Sequence, residues 1–250
     1  MNKTIIIQGK IFPTTEKLAR DLRKSSDARI IVSTWENEDV SLDDIDNCTT
    51  LFLKDPGPGP LTGIGHCSVH PQNFTRQLYG ANQALELVDG GIVAKIRSDA
   101  ICVDPPKDLF SVYEKTPASL SPLRNKIFIS NVVSCVPDFR VFSPSDWLYV
   151  GEYDDIKEWF DIEEQSKIAS RYVMCAEQIF CVSNLMKTEE DFDLNRIIEL
   201  NHENKTLTRK FFKENFVFVG TQSGFGAIMS KYPQHKDTDR LGWIWPQEIP

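Results

Sequence analysis

The chain has 250 residues, 41% of them apolar and 10% aromatic, and a formal net charge of −8. That size allows one large α/β domain or two small ones, with enough apolar material for a sizeable core. The acidic balance, with no basic block in either half, argues against a nucleic-acid binder. An anionic small molecule needs only a local cationic pocket and stays open as a ligand.

The apolar run Ile5-Ile6-Ile7 is too short for a signal peptide. No stretch approaches the roughly 20 apolar residues of a transmembrane segment, so the expected location is cytoplasmic. None of the six cysteines forms a Cys-x-x-Cys pair, and they read as reduced thiols rather than a zinc knuckle. Cys175 and Cys181 fall in an apolar helical pattern and read as core. The histidines, His66, His70, His202 and His235, show no metal-ligand spacing.

In chain order, Thr4 to Ile11 begins as a buried strand and ends in Gln8-Gly9. Thr14 or Thr15 caps a helix over Glu16–Lys24, with Leu18 and Leu22 on one face. Arg29–Trp35 is a second strand, ending in Ser33-Thr34-Trp35-Glu36. Thr50–Lys54 is a third, ending in Asp55-Pro56-Gly57. A strand–helix–strand opening argues for a parallel sheet with a right-handed crossover. Neither a dinucleotide fingerprint nor a P-loop is present. Pro56–Pro71 is a long Gly/Pro-rich loop, read either as a functional lid or as an insertion without fixed structure. A helix over Asn73–Val88 carries Arg76 and Gln77, and its C-cap Asp89-Gly90-Gly91 feeds directly into the next strand.

That strand is the most informative stretch. Ile92-Val93-Ala94 reads as buried, then gives way to Lys95-Ile96-Arg97-Ser98-Asp99. Alternation places Lys95, Arg97 and Asp99 on one face at the strand's carboxyl end, where open α/β sheets bind ligands. The same pattern also suits a mutually neutralised structural group. Further on come a short helix at Asp108–Glu114 and a strand at Lys126–Asn131. The segment Ser143–Gly151 and helices over Asp154–Phe160 and Glu163–Leu185 follow. A helical stretch at Leu207–Phe212, a strand at Phe216–Val219 and a tail with Trp243 and Trp245 complete the chain.

One ordered set of segments stands out. It comprises Ile31-Val32-Ser33-Thr34-Trp35-Glu36, Asp55-Pro56-Gly57, Asn73-x-x-Arg76-Gln77 and Lys95-x-Arg97-Ser98-Asp99, followed by Ser145-Asp146-Trp147 with Gly151 and Ala176-Glu177-Gln178. Over residues 4–185 this set resembles the WavE family of lipopolysaccharide-synthesis proteins. The family is glycosyltransferase-like. The resemblance therefore implies a GT-A-like α/β single domain with a mostly parallel central sheet flanked by helices. It implies a nucleotide-binding half over 1–131 and an acceptor-side half over 132–250. It also implies a nucleotide-sugar donor, a lipopolysaccharide or capsule glycan or glycolipid acceptor, and peripheral contact with the inner face of the membrane.

On this reading Gln8, Gly9, Thr34, Trp35, Glu36, Asp55, Arg76, Gln77, Lys95, Arg97 and Asp99 lie on the donor side. Trp35 stacks on a base or sugar and Glu36 accepts from a ribose or base. GT-A enzymes commonly hold Mg²⁺ or Mn²⁺ with Asp-x-Asp, whereas this chain has Arg97-Ser98-Asp99. Either Asp99 alone anchors a metal with phosphates and water, or cations neutralise the diphosphate directly. Ser145 and Trp147 are expected to bind the acceptor. Asp146, in a Pro-flanked loop, is expected to contact the acceptor sugar's hydroxyls or to act as general base, with Glu177, in an apolar helical run, as the alternative base. Two other readings use the same sheet: a nucleotidyl- or phospho-transferring enzyme, and a non-catalytic sugar-nucleotide- or glycan-binding subunit.

Overall fold

The computed structural model describes residues 1–57, 73–102, 108–115, 127–130, 137–138, 140–169, 174–189, 193, 197, 199–219 and 228–230. All but the first two residues of the expected Pro56–Pro71 loop, and the tail with Trp243 and Trp245, lie outside them.

The first strand, β1 (Lys3–Gln8), is followed by α1 (Pro13–Ser25), β2 (Arg29–Trp35) and β3 (Cys48–Leu53). Helix α1 begins earlier than the sequence suggests. Pro13 occupies its first turn, where a missing N–H costs nothing. Thr15 lies inside that turn rather than capping it. Its hydroxyl accepts from Phe12 N at 2.9 Å and donates to Ser98 O at 2.8 Å.

Helix α2 (Phe74–Leu85) precedes β4 (Ile92–Arg97), and a tight turn at Ser98-Asp99 leads to the short β5 (Ala100–Cys102). Gly91 enters β4 at φ +86°, and a Cβ there would lie 2.2 Å from Asn2 O, so only glycine fits. Next come α3 (Phe110–Lys115), β6 (Ile127–Ser130), β7 (Leu148–Glu152) and α4 (Tyr153–Phe160). Two helices, α5 (Glu163–Ala169) and α6 (Ala176–Leu185), replace the single helix expected over Glu163–Leu185. Cys175 is extended, and Cys175 N donates to the Gln178 side chain at 3.3 Å, which starts a new helix. The apolar period runs through both segments and hides the break. Helix α7 (His202–Asn215) is capped by Asn201, which accepts from Asn204 N at 2.8 Å. It leads into β8 (Phe216–Val219), and β9 (Ile228–Ser230) pairs with β5.

Among the described residues, seven strands form one sheet in the order β3-β2-β1-β4-β7-β6-β8. Strands β3, β2, β1 and β4 run parallel, β7 is antiparallel to both neighbours, and β6 and β8 are parallel to each other. This is the expected mostly parallel sheet flanked by helices. Alternation divides the core between its faces. Ile5, Ile7, Ile30, Val32, Ala94 and Ile96 pack with Leu18 and Leu22 of α1 and Phe110 of α3. Ile6, Ile31, Val93 and Tyr149 pack against α2, α4, α6 and α7 on the other face.

Candidate active site

The carboxyl ends of β1, β2 and β4 lie side by side because these strands are adjacent and parallel. A cleft of about 380 Å³ opens there, lined by residues that include Gln8, Gly9, Trp35, Asp55, Arg76, Gln77, Arg97 and Asp99. Eight of the sequence-predicted donor-side residues thus meet in one place, at the sheet edge where α/β folds bind ligands. A second hollow, lined by Lys3, Thr4, Asp27 and Arg29 among others, lies at the opposite, amino end of the strands, away from these groups.

The cleft floor is tightly fixed. Gly9 has φ +131°, and a Cβ on it would lie 2.6 Å from Ser98 Oγ. Gly9 N donates to Ser33 O and Ser98 N to Gln8 O, each at 3.0 Å, so the three strand ends are tied together by main chain. Gln8 Nε2 donates to Arg76 O at 3.2 Å, and Ser33 Oγ to Gly80 O at 2.9 Å, fastening α2 over β1 and β2.

Arg97 organises the deeper part. Its Nε and Nη2 donate to the two Asp99 carboxylate oxygens at 2.9 Å each, and its Nη1 donates to Asp146 Oδ2 at 3.0 Å. The guanidinium also lies 4.6 Å from the Trp147 ring centroid. Burial works against the charge, but Asp146 and then Asp99 outweigh it and raise the Arg97 pKa above its usual range. Asp146 Oδ2 also accepts from Gln77 Nε2 at 2.8 Å. Lys95 is fully buried, donates to Asp146 O at 3.3 Å and stands 5.6 Å from the Tyr149 ring centroid. Burial lowers its pKa from 10.5 to about 8, against the pull of Asp146. At the cleft mouth, Arg76 holds Asp55 side-on through bonds of 2.8 and 2.6 Å, and this pairing pulls the Asp55 carboxyl below its ordinary value.

Several expectations change. Asp146 is not in an exposed loop: it is 1% accessible, wedged between α2 and β4. Ser145 is wholly buried and Trp147 nearly so, which takes both off any open acceptor wall. Thr34 is buried, since alternation turns Trp35 rather than Thr34 toward the cleft. Glu36 is exposed and is not among the cleft-lining residues. Lys95 lies beneath the cleft rather than in its wall. Asp99 leaves the strand face and folds back on Arg97 through the turn. Glu177, half-buried in the first turn of α6, has its carboxyl pushed up by burial and by the nearby Asp146 charge.

The donor set decides whether a divalent cation fits. Both Asp99 oxygens already accept from a guanidinium, and no group of three or more His, Cys, Asp or Glu suited to a metal exists among the described residues. Magnesium takes one or two carboxylates and completes its octahedron with phosphates and water, so a cation at Asp99 would have to share that carboxylate with Arg97.

With this geometry in place, the family model for WavE lipopolysaccharide synthesis matches residues 8–248. The chain belongs to the WavE family. No curated protein sequence matches it. Among solved structures, the galactosyltransferase LgtC with donor and acceptor sugar analogues is 11% identical at TM-score 0.47, over 73% of this chain and 70% of that one. HddC from Yersinia pseudotuberculosis is 15% identical at TM-score 0.38, over 63% and 80% of the two chains. The glycosyltransferase GlyE from Streptococcus pneumoniae is 14% identical at TM-score 0.42, over 90% of this chain and 46% of that one. At these levels the solved structures bear on no activity of this chain.

The match runs well past residue 185, where the sequence resemblance ends. Asn73 and Ser98, members of the quoted motifs, also line the cleft, as do four residues that sequence reading passed over: Lys10, Phe12, Asn37 and Glu38. Each lies within three positions of a predicted residue, so extending every strand-end motif by one turn would have found them. Among the described residues no helix is long and apolar enough to cross a membrane.

Proposed function

We propose that this WavE-family chain is a glycosyltransferase that moves a sugar from a nucleotide-sugar donor to a glycan or glycolipid acceptor in lipopolysaccharide synthesis. The observation that carries this reading is the convergence of Gln8, Trp35, Arg76, Gln77, Arg97 and Asp99 on one cleft at the carboxyl ends of three parallel strands. Trp35 is 7% accessible but lines the cleft, and the reading has its accessible part meet the base. Arg97 has given three of the five N–H donors of a guanidinium to Asp99 and Asp146, which leaves two for phosphate oxygens. Lys10, 63% exposed and 4.0 Å from Glu38, is a further cation at the rim.

A departing nucleoside diphosphate gains negative charge, and fixed N–H donors that await it lower the barrier without reorganising. Lys95 acts beneath the site, as a buried prop for the Asp146 main chain. Glu177 is the better candidate for general base, because burial and the Asp146 charge make its carboxylate more basic, whereas Asp146 Oδ2 is occupied by two donors. Residues 1–131 supply most of the donor side, and the later half supplies Asp146, Trp147 and Glu177. A cytoplasmic site, with peripheral contact at the inner face of the membrane, fits an acceptor built on lipid.

The test is release of nucleoside diphosphate from a panel of nucleotide sugars, with lipopolysaccharide-core glycans as acceptors. Release that depends on acceptor supports the reading. Nucleotide-sugar binding without turnover indicates a binding subunit instead.

A further inference from the structure

Two buried acceptors beside the cleft have no donor among the described residues. Asp146 accepts two hydrogen bonds, both on Oδ2, while Oδ1 receives none. Gln77 spends Nε2 on Asp146, and its Oε1 likewise receives none. Reversing the Gln77 amide would set its oxygen against the Asp146 carboxylate, so the orientation is fixed by its partner. Gln77 is 8% accessible and Asp146 is 1% accessible. An oxygen withdrawn from water and left without a donor is costly, more so on a carboxylate, and two side by side are uncommon unless something donates to them. Gln77 and Arg97 line the cleft; Asp146 does not, and both vacant oxygens are closed to solvent, so a ligand in the cleft reaches them only by displacing the Gln77 side chain.

The chemistry of the missing partner follows from what surrounds it. It must bring at least two X–H donors and accept from one of the two spare Arg97 N–H groups, leaving the other for the diphosphate. A further anion is disfavoured beside the Asp146 carboxylate. A polyhydroxylated neutral ring meets all three conditions, because each hydroxyl both donates and accepts. The aromatic face of Trp147 is covered by Arg97, so recognition here rests on hydrogen bonds rather than stacking.

We propose that Gln77 and Asp146 read the hydroxyl groups of the donor's sugar ring, with Arg97 donating to the same ring. Asp146 is then a specificity-determining group rather than the general base. This rests on the nucleotide-sugar reading of the cleft.

The test measures dissociation constants by calorimetry for UDP-glucose, UDP-galactose, UDP-N-acetylglucosamine and GDP-mannose, each beside its parent UDP or GDP. The sugar nucleotide that binds best is then compared with its monodeoxy ring analogues on the unaltered protein. At least one analogue is expected to lose about 10- to 100-fold in affinity, the consequence of leaving a buried charged acceptor unpaired. Gln77→Met is expected to weaken the sugar nucleotide by about 5- to 50-fold and to leave the parent nucleoside diphosphate within about twofold. If every deoxy analogue binds like its parent, buried water satisfies the two oxygens and the proposal is overturned. Equal weakening of sugar nucleotide and nucleoside diphosphate by Gln77→Met places that residue on the nucleotide side and also overturns it. If nucleoside diphosphates bind but no sugar nucleotide binds more tightly, sugar recognition at this site fails while nucleotide binding stands. If neither class binds, the nucleotide-sugar reading itself falls, and this proposal with it.

Discussion

Arg97 and Asp99 are two residues apart and face each other across a turn, joined side-on by two bonds of 2.9 Å. On a straight strand they would project in parallel. The turn at Ser98-Asp99 that ends β4 converts a shared face into a closed pair, and Asp146 takes the third side of the same guanidinium. The pair is therefore both a structural bond and part of the cleft wall.

The fork of Arg97, rather than its charge alone, makes these bonds. Arg97→Lys keeps the charge and cannot span both carboxylates. It is expected to lower stability by about 1–3 kcal/mol, read by urea unfolding, since at least one buried acceptor loses its donor. An unchanged midpoint would show that the pair is a surface ornament.

Lys95 gives the fold a specific pH dependence. Its pKa is about 8 when folded and 10.5 when solvated, so between these values the folded chain binds fewer protons than the unfolded one. Stability then rises with pH across that window, and the cost of burying the ammonium is present in full below it. Comparison with Lys95→Met isolates this titration from the cysteines and tyrosines. From pH 8 toward 10.5 the parent should gain on the variant by something on the order of 1–3 kcal/mol. A constant difference between the two would rule out the titration.

Gly9 is constrained twice, by φ +131° and by Ser98 Oγ at 2.6 Å from its missing Cβ. Gly9→Ala should destabilise by about 2 kcal/mol or more. Ser98→Ala removes the clash but not the backbone strain, so the double variant should recover part of the loss. Full recovery would show that the backbone angle costs nothing.

Arg76 and Asp55 form a pair of the opposite kind, about one-third exposed at the cleft mouth. Arg76→Ala should change stability by less than about 1 kcal/mol, because solvent screens such pairs. Nucleotide binding, measured by calorimetry, should nevertheless weaken. A variant that unfolds readily and binds normally would reverse both assignments.

The fold was legible where local signals agree. Ile5-Ile6-Ile7, Ile30-Ile31-Val32 and Ile92-Val93-Ala94 are short apolar runs rich in β-branched residues, each giving way to polar residues, and each lies in an interior strand. The parallel order followed from the intervening helices. The break between α5 and α6 was not legible, because helical periodicity continues across it. In the site, alternation correctly paired Lys95 with Arg97 but said nothing of depth. Lys95 is sealed by Tyr149 and by the Asp146 main chain, both supplied from about fifty residues away. Asp146 failed as an exposed loop residue for the same reason. Pro and Ser mark a turn, but whether a turn is solvated depends on what packs over it, here Gln77 from α2. Long-range packing of this kind has no signature in local sequence.

The central claim is that the cleft between the ends of β1, β2 and β4 holds a nucleotide sugar. A crystal structure of the chain with the tightest-binding sugar nucleotide tests it most directly. The account predicts the base ring centroid about 4.5–7 Å from that of Trp35, diphosphate oxygens within hydrogen-bond reach of Arg97, and a sugar hydroxyl on Gln77 or Asp146. A nucleotide sugar bound at the amino ends of the strands, with Trp35 and Arg97 untouched, would contradict it.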